Sequence, residues 1–305
     1  MINAVRGSLI VALGLSVVLP VEAQIFILDH GTSGPNGVIT STNGTLAEYS
    51  STGAVINPGV VTGLDAPSNV ATDGVNLFIS ESTGTVAEYT PTGGLVSASL
   101  IAGLKPTVTR IAISGSSLFV SSFSGAIGEY STSGAAVNAS LISAYYPNFI
   151  ASMGSNVFVA DGSGKVSMYD NTGALISKAF TTGSLLATSG SDLFVLHGDG
   201  TIGEYQTSNG VVNAVNEHLI SGLSGSYYYG MAVSGTNLYV SNWLTGTVSE
   251  YSTVTGNVIN ANFITGLTAP YGLVVATVPE PASGEMLIVG VLGLMVVGWS
   301  KKATL

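Results

Sequence analysis

Cysteine is absent from this 305-residue sequence. Neither a disulfide nor a thiolate metal site is therefore available, an absence compatible with export but no proof of it. Charge is scarce as well, since Asp, Glu, Lys and Arg together make up 8% of the chain. Between residues 24 and 277 four basic side chains (Lys105, Arg110, Lys165, Lys178) stand against fourteen acidic ones, a net charge of −10. So acidic a body is repelled by phosphate backbones, which argues against nucleic acid as a partner. Histidine occurs three times, as His30, His197 and His218. Three scattered imidazoles offer no metal-ligand spacing and no paired acid and base. Long apolar runs are missing from the middle of the chain and confined to its two ends.

The ends read as addresses. Residues 1–23 carry Arg6, an eleven-residue apolar core from Leu9 to Leu19, and the small-x-small triplet Val21-Glu22-Ala23. These are the three parts of a secretory signal, with cleavage by signal peptidase expected before Gln24; a retained anchor would need a longer apolar core. Residues 278–305 begin with Val278-Pro279-Glu280-Pro281, continue through an apolar run from Met286 to Trp299, and end on Lys301-Lys302 and three further residues. As a transmembrane helix this run leaves the two lysines cytoplasmic and everything before Pro279 outside. The Pro-Glu-Pro triplet, apolar helix and basic tip resemble the PEP-CTERM sorting signal of exported bacterial proteins. The resemblance implies recognition by an exosortase-type membrane protease, cleavage near the triplet, and delivery to the cell surface or an exopolysaccharide-containing matrix. It also implies a transient or permanent hold on the inner membrane through the C-terminal helix. An ordinary C-terminal anchor predicts the same outward topology.

What fills the middle is repetition. Gly44-Thr45-Leu46-Ala47-Glu48-Tyr49 returns as the hexapeptides beginning at Gly84, Gly125, Gly164, Gly200 and Gly246, with tyrosines spaced 40, 41, 39, 36 and 46 residues apart. Each period holds four strand-like pieces. An inner one (such as Arg110 to Ile113) precedes a Gly turn and an almost wholly apolar one (such as Leu118-Phe119-Val120). The Glu-Tyr piece follows, then a second Gly turn and an outer piece ending in a pattern like Leu100-Ile101. Four antiparallel strands per roughly 40 residues make the blade of a β-propeller. The expected fold is all-β: a six-bladed propeller of four-stranded blades over residues 24–277, with seven blades as the alternative, flanked by a signal helix and a C-terminal transmembrane helix. In the third strand, the alternation of side chains puts Tyr and the small residue two before it on one face. That face is expected to interlock with the next blade. The first set is expected to have its second strand near Val38-Ile39, and Gly272 to Ala276 to close the ring by completing the first blade. Ile25-Phe26-Ile27-Leu28 competes for that slot or begins a seventh blade.

The period, with Pro before the inner strand, Gly-x-x-Leu-Phe-Val, Gly-Thr-Val and a turn Gly, resembles NHL-like and streptogramin-lyase-like propellers. That resemblance implies the architecture; the lyase-type His–Glu–His cluster has no evident counterpart here. On such a fold the loops joining second to third strands share a face with those joining one blade to the next. Their expected occupants include Glu81, Phe123, Asp161, His197, Asp199, Asn242, Asn69, Arg110 and Asn148. Rings gather there too: Tyr145, Tyr146, Tyr227, Tyr228, Tyr229, Trp243 and Tyr271. Aromatic side chains with polar tips suit flat sugar faces or protein partners, or simply seal the channel mouth. The recurrent glutamates 48, 88, 129, 204 and 250 are too far from the axis for a Ca²⁺ ring, and read as carboxylates bonded to nearby hydroxyls or backbone. No catalytic residue, metal site or cofactor is assigned. The expected function is a non-enzymatic binding or structural protein, associated with exopolysaccharide or surface proteins. A secreted NHL-like lyase or hydrolase using His197 and Asp161 is the alternative, and a matrix component with no ligand a third reading.

Overall fold

The computed structural model describes residues 23–31, 43–104, 110–122, 124–223 and 228–277. They form six four-stranded antiparallel sheets, and no helix occurs among them. The chain is an all-β, six-bladed propeller. Blade 1 combines the strands Ala23–Asp29, Gly44–Ser50 and Val55–Leu64 with the last strand, Pro270–Thr277; the strands of blades 2 to 6 begin at Pro67, Ile111, Phe149, Leu185 and Tyr228 and end at Ile101, Ser143, Thr182, Ile220 and Ile264. The inner strand of blade 1 neighbours the inner strands of blades 6 and 2, so the ring is closed and six blades complete it. Both terminal apolar segments and the Pro-Glu-Pro triplet lie outside the described residues. Within those residues no helix is long and apolar enough to cross a membrane.

Closure follows the expected route in one respect and departs from it in another. Pro270–Thr277 does complete blade 1 as its innermost strand. The second strand of that blade, however, is Ala23–Asp29, with Phe26 paired to Val274 on one side and to Glu48 on the other. Ile25-Phe26-Ile27-Leu28 therefore neither takes the closing slot nor starts a seventh blade, and Val38-Ile39 lies outside the described residues. The reason is compositional: the second strand is packed on both faces, and the unbroken apolar run Ile25 to Leu28 satisfies that, each side chain being at most 1% exposed.

The core lies between blades. In the second strand of blade 2, Leu77 and Ile79 join the cluster shared with blade 1, while Phe78 joins the one shared with blade 3. The third strand splits the same way, but in the opposite sense to that expected. Tyr49 packs with Val248 and Phe263 of blade 6, and Tyr130 with Phe78 and Val86 of blade 2. Leu46 faces blade 2. The tyrosine face thus meets the preceding blade. A period of two distinguishes two faces; which way each points around the ring is set by the handed twist of the sheets, which no alternation pattern encodes.

Candidate functional site

Loops between second and third strands and loops between blades come together on one face. Ser82 N donates to Ala66 O at 3.1 Å, and Gly162 N to Tyr145 O at 2.9 Å. The polar residues expected there are mostly engaged in their own turns. Asp161 Oδ1 accepts from Ser163 N (2.8 Å), Ser163 Oγ (2.6 Å) and Lys165 N (3.0 Å). Asp199 Oδ1 accepts from Thr201 Oγ1 (2.7 Å) and Thr201 N (3.0 Å), which hold its carboxyl below the usual range. Asn242 Oδ1 accepts from Leu244 N and Thr245 N, and Glu81 from Asp65 N and Thr85 Oγ1. Those of Asp161, Asp199 and Asn242 are Asx-type turns, in which a short side chain takes up backbone N–H groups a tight loop would otherwise leave unpaired, while Glu81 ties its loop to the preceding interblade loop. Phe123 lies outside the described residues.

His197 sits at the rim of blade 5. Its Nδ1 meets Thr182 O, and its Nε2 lies 3.2 Å from the Tyr205 hydroxyl, which contacts Thr181 Oγ1 at 2.8 Å. The surrounding groove also holds Asp199, Glu217 and His218, but Asp161 is not among its lining residues. Among the described residues no three His, Asp or Glu side chains form a group that could hold a metal ion.

The aromatic set divides in two. Tyr145 and Tyr146, on the loop between blades 3 and 4, are 64% and 51% exposed and pack edge to face, ring centres 4.7 Å apart at 89°. Tyr146 holds φ at 45°, a left-handed conformation that costs a bulky side chain strain. Beneath this loop Gly162 comes so close that a Cβ there would lie 2.8 Å from the Tyr146 Cβ. Tyr229 and Tyr271 are half-buried and stack face to face at 4.5 Å, 11° apart, and His30 stacks on Tyr271 at 4.9 Å. Tyr228 is half-buried against the core cluster that spans blades 4 to 6, Trp243 is half-buried on the blade 6 turn, and Tyr227 lies outside the described residues.

At the centre of this face is a residue that the sequence reading placed there without giving it a role. Arg110 is 2% exposed and reaches across the channel mouth. It belongs to blade 3, donates from Nη1 to Ser68 O of blade 2 at 2.6 Å, and lays its guanidinium 4.2 Å from the Phe149 ring of blade 4. Tyr271 of blade 1 lies 4.8 Å away on its ring centre and hydrogen-bonds it. One side chain thus touches three blades besides its own. Loss of hydration pushes its pKa down, and Tyr271 and Tyr229 partly offset that. Beside it is a cavity of about 100 Å³ lined by Asn69, Arg110, Phe149 and Tyr229, together with inner-strand aliphatics. The available signal was its rarity: Arg110 is the one arginine between residues 24 and 277.

No protein-family model matches the chain, and no curated protein matches its sequence. Among solved structures, a chain in the crystal structure of a nidogen/laminin complex is similar over 83% of this chain and 98% of its own, with a TM-score of 0.62 and 12% identity. At that identity the likeness is one of fold alone, a propeller of the same construction. A computationally designed protein, Ika8, aligns over 76% of this chain and 74% of its own, with a TM-score of 0.47 and 13% identity, and has no bearing on this chain.

Proposed function

We propose that this chain is an exported propeller, sorted to the cell surface or extracellular matrix, that acts as a non-enzymatic binding or structural protein. Its ligand on this reading is exopolysaccharide or a surface protein, engaged through the aromatic loops. The observation that carries the reading is the Tyr145–Tyr146 pair: two exposed rings at right angles, one on a strained backbone that its neighbours hold in place. Strain of this kind persists where the surroundings over-determine it, and such sites are often functional. Rings offered edge and face to solvent suit the apolar face of a sugar and the polar groups around it.

The address rests on the two terminal segments. Strands run from Ala23 to Thr277, so cleavage before Gln24 and near the Pro-Glu-Pro triplet, beyond Thr277, would cost the propeller only Ala23. Processing would involve signal peptidase and an exosortase-type protease. The non-enzymatic reading is supported by how the alternative's two residues are occupied, Asp161 by its own turn and both nitrogens of His197 by Thr182 and Tyr205.

Binding of the purified chain to a glycan array and to its host's exopolysaccharide, repeated with Tyr146→Ala and Trp243→Ala, tests the ligand. A loss of about tenfold in affinity, or 1.4 kcal/mol, is expected for Tyr146→Ala. Wild-type protein that binds no glycan at any concentration sinks the polysaccharide reading.

A further inference from the structure

Among the described residues, Arg110 is the only charged side chain lining the channel-mouth cavity, and no Asp or Glu is present in that lining. Its Nε has no hydrogen-bond partner; its neutral partners are the Ser68 carbonyl on Nη1, a hydrogen bond with the Tyr271 hydroxyl, and the ring faces of Phe149 and Tyr271. A carbonyl, a neutral hydroxyl and π-faces stabilise a cation only partly, and a guanidinium cannot shed its charge at neutral pH as a buried lysine can. A buried, formally unpaired charge beside an open cavity calls for an ion from outside.

We propose that this cavity is a binding site for a monocarboxylate, paired with the Arg110 guanidinium. Three features select that chemistry. The cavity of about 100 Å³ accommodates a group of a few heavy atoms. The guanidinium fork is planar and matches the two oxygens of a carboxylate. A body with a net charge of −10 opposes a doubly charged anion more strongly than a singly charged one. Asn69, whose Oδ1 accepts from Ile111 N at 3.2 Å, lines the same space and leaves its amide group as a second donor for the incoming oxygens. The carboxylate could come as a free small acid or as the acid group of a sugar acid. The proposal stands whether or not the aromatic loops bind a glycan.

Thermal unfolding and titration calorimetry of the purified chain test it, at fixed ionic strength, with sodium chloride exchanged for sodium acetate or sodium glucuronate and with glucose as the uncharged control. A saturable rise of roughly 2–4 °C in Tm is expected with acetate, and none with chloride or glucose. The same response to glucuronate would assign the cavity to a sugar acid, and its absence to a small free acid; either supports the site. Arg110→Met should abolish the effect, and Arg110→Lys, which keeps charge but loses the fork, should weaken binding about tenfold. Should Arg110→Met fail to fold, saturation-transfer NMR of acetate on wild type and on Arg110→Lys replaces it. Equal responses to acetate and chloride, or binding undiminished in Arg110→Lys and Arg110→Met, overturn the proposal.

Discussion

At the scale of single residues, the third-strand glutamate, present in five of the six blades and replaced by Met168 in blade 4, shows how one recurring position is solved. Its carboxylate accepts from a donor at the start of the neighbouring second strand: from Asn76 Nδ2 to Glu88 at 2.7 Å, Ser117 Oγ to Glu129 at 2.7 Å, and Asn237 Nδ2 to Glu250 at 2.8 Å. The sequence reading expected hydroxyl or backbone partners; Ser117 fits it, whereas the amides of Asn76 and Asn237 were not foreseen. In blade 5 the donor position is Asp192, which Gln206 Nε2 approaches at 2.8 Å. Glu204 there has its pKa raised, first by desolvation and then by repulsion from Asp192. A carboxyl whose folded pKa exceeds its unfolded value favours the fold while protonated, and that stability is lost as pH rises through the folded pKa. Asp192→Asn removes the like charge and supplies an amide donor. Urea unfolding at pH 7 should show a gain of about 0.5 kcal/mol, the scale of a cross-strand charged pair, shrinking towards nothing near pH 4. An equal effect at both pH values would separate the gain from Glu204 ionisation.

Elements meet through the turn glycines. Gly134 of blade 3 has a φ of 86°, and a Cβ on it would lie 2.4 Å from Leu100 O on the outer strand of blade 2. Gly53 stands in the same relation to Phe263 O of blade 6, so the ring-closing seam is built like the others. Gly74, in a turn between first and second strands, has a φ of 89° but open space around it. Gly74→Ala should therefore cost only left-handed strain, about 1–2 kcal/mol. Gly134→Ala should add about 1–3 kcal/mol of overpacking, so its urea midpoint should fall clearly below that of Gly74→Ala. Equal losses would mean the seam yields without cost. Hairpin chemistry accounts for the positive φ and was readable from sequence; the close approach of another blade was not, because it joins residues a whole repeat apart. The outer strands carry a second device of this kind. Each is irregular where it pairs with its third strand, and Asn57, Asn138, Asn216 and Asn260 there accept from the backbone N–H two residues on. Outward-facing Val55, Ile56, Leu95, Val96, Val258 and Ile259 make these edges apolar, and a bulge with a self-bonded Asn blunts an edge that could otherwise pair with another chain.

For the whole molecule, stability depends on a joint between residues far apart in the chain. Ala23–Asp29 pairs with Pro270–Thr277, and Asp29 accepts from Thr268 N at 2.8 Å and from Ala269 N at 3.1 Å. His30 N donates to Ala269 O at 3.0 Å beside it. Residues 271–277 supply the inner strand of blade 1 and with it one sixth of the channel wall. Their deletion should abolish the single cooperative transition in thermal unfolding, and an unchanged transition would show that the ring holds without this joint.

Period, strand count per blade, the apolar second strand and the positions of the turns were all determined by the sequence alone. Each is a local property, set by side-chain alternation and by residues such as glycine that permit particular backbone angles. The candidate site was legible only as a list of loop residues sharing one face. Tertiary structure decided which run joins blade 1 as its second strand, towards which neighbour the tyrosines point, and which rings stack and which stay exposed. It also decided that Arg110 sits at the axis among four blades. Those outcomes depend on the handed closure of the ring, which brings distant repeats into contact and leaves no trace in the spacing of any one of them.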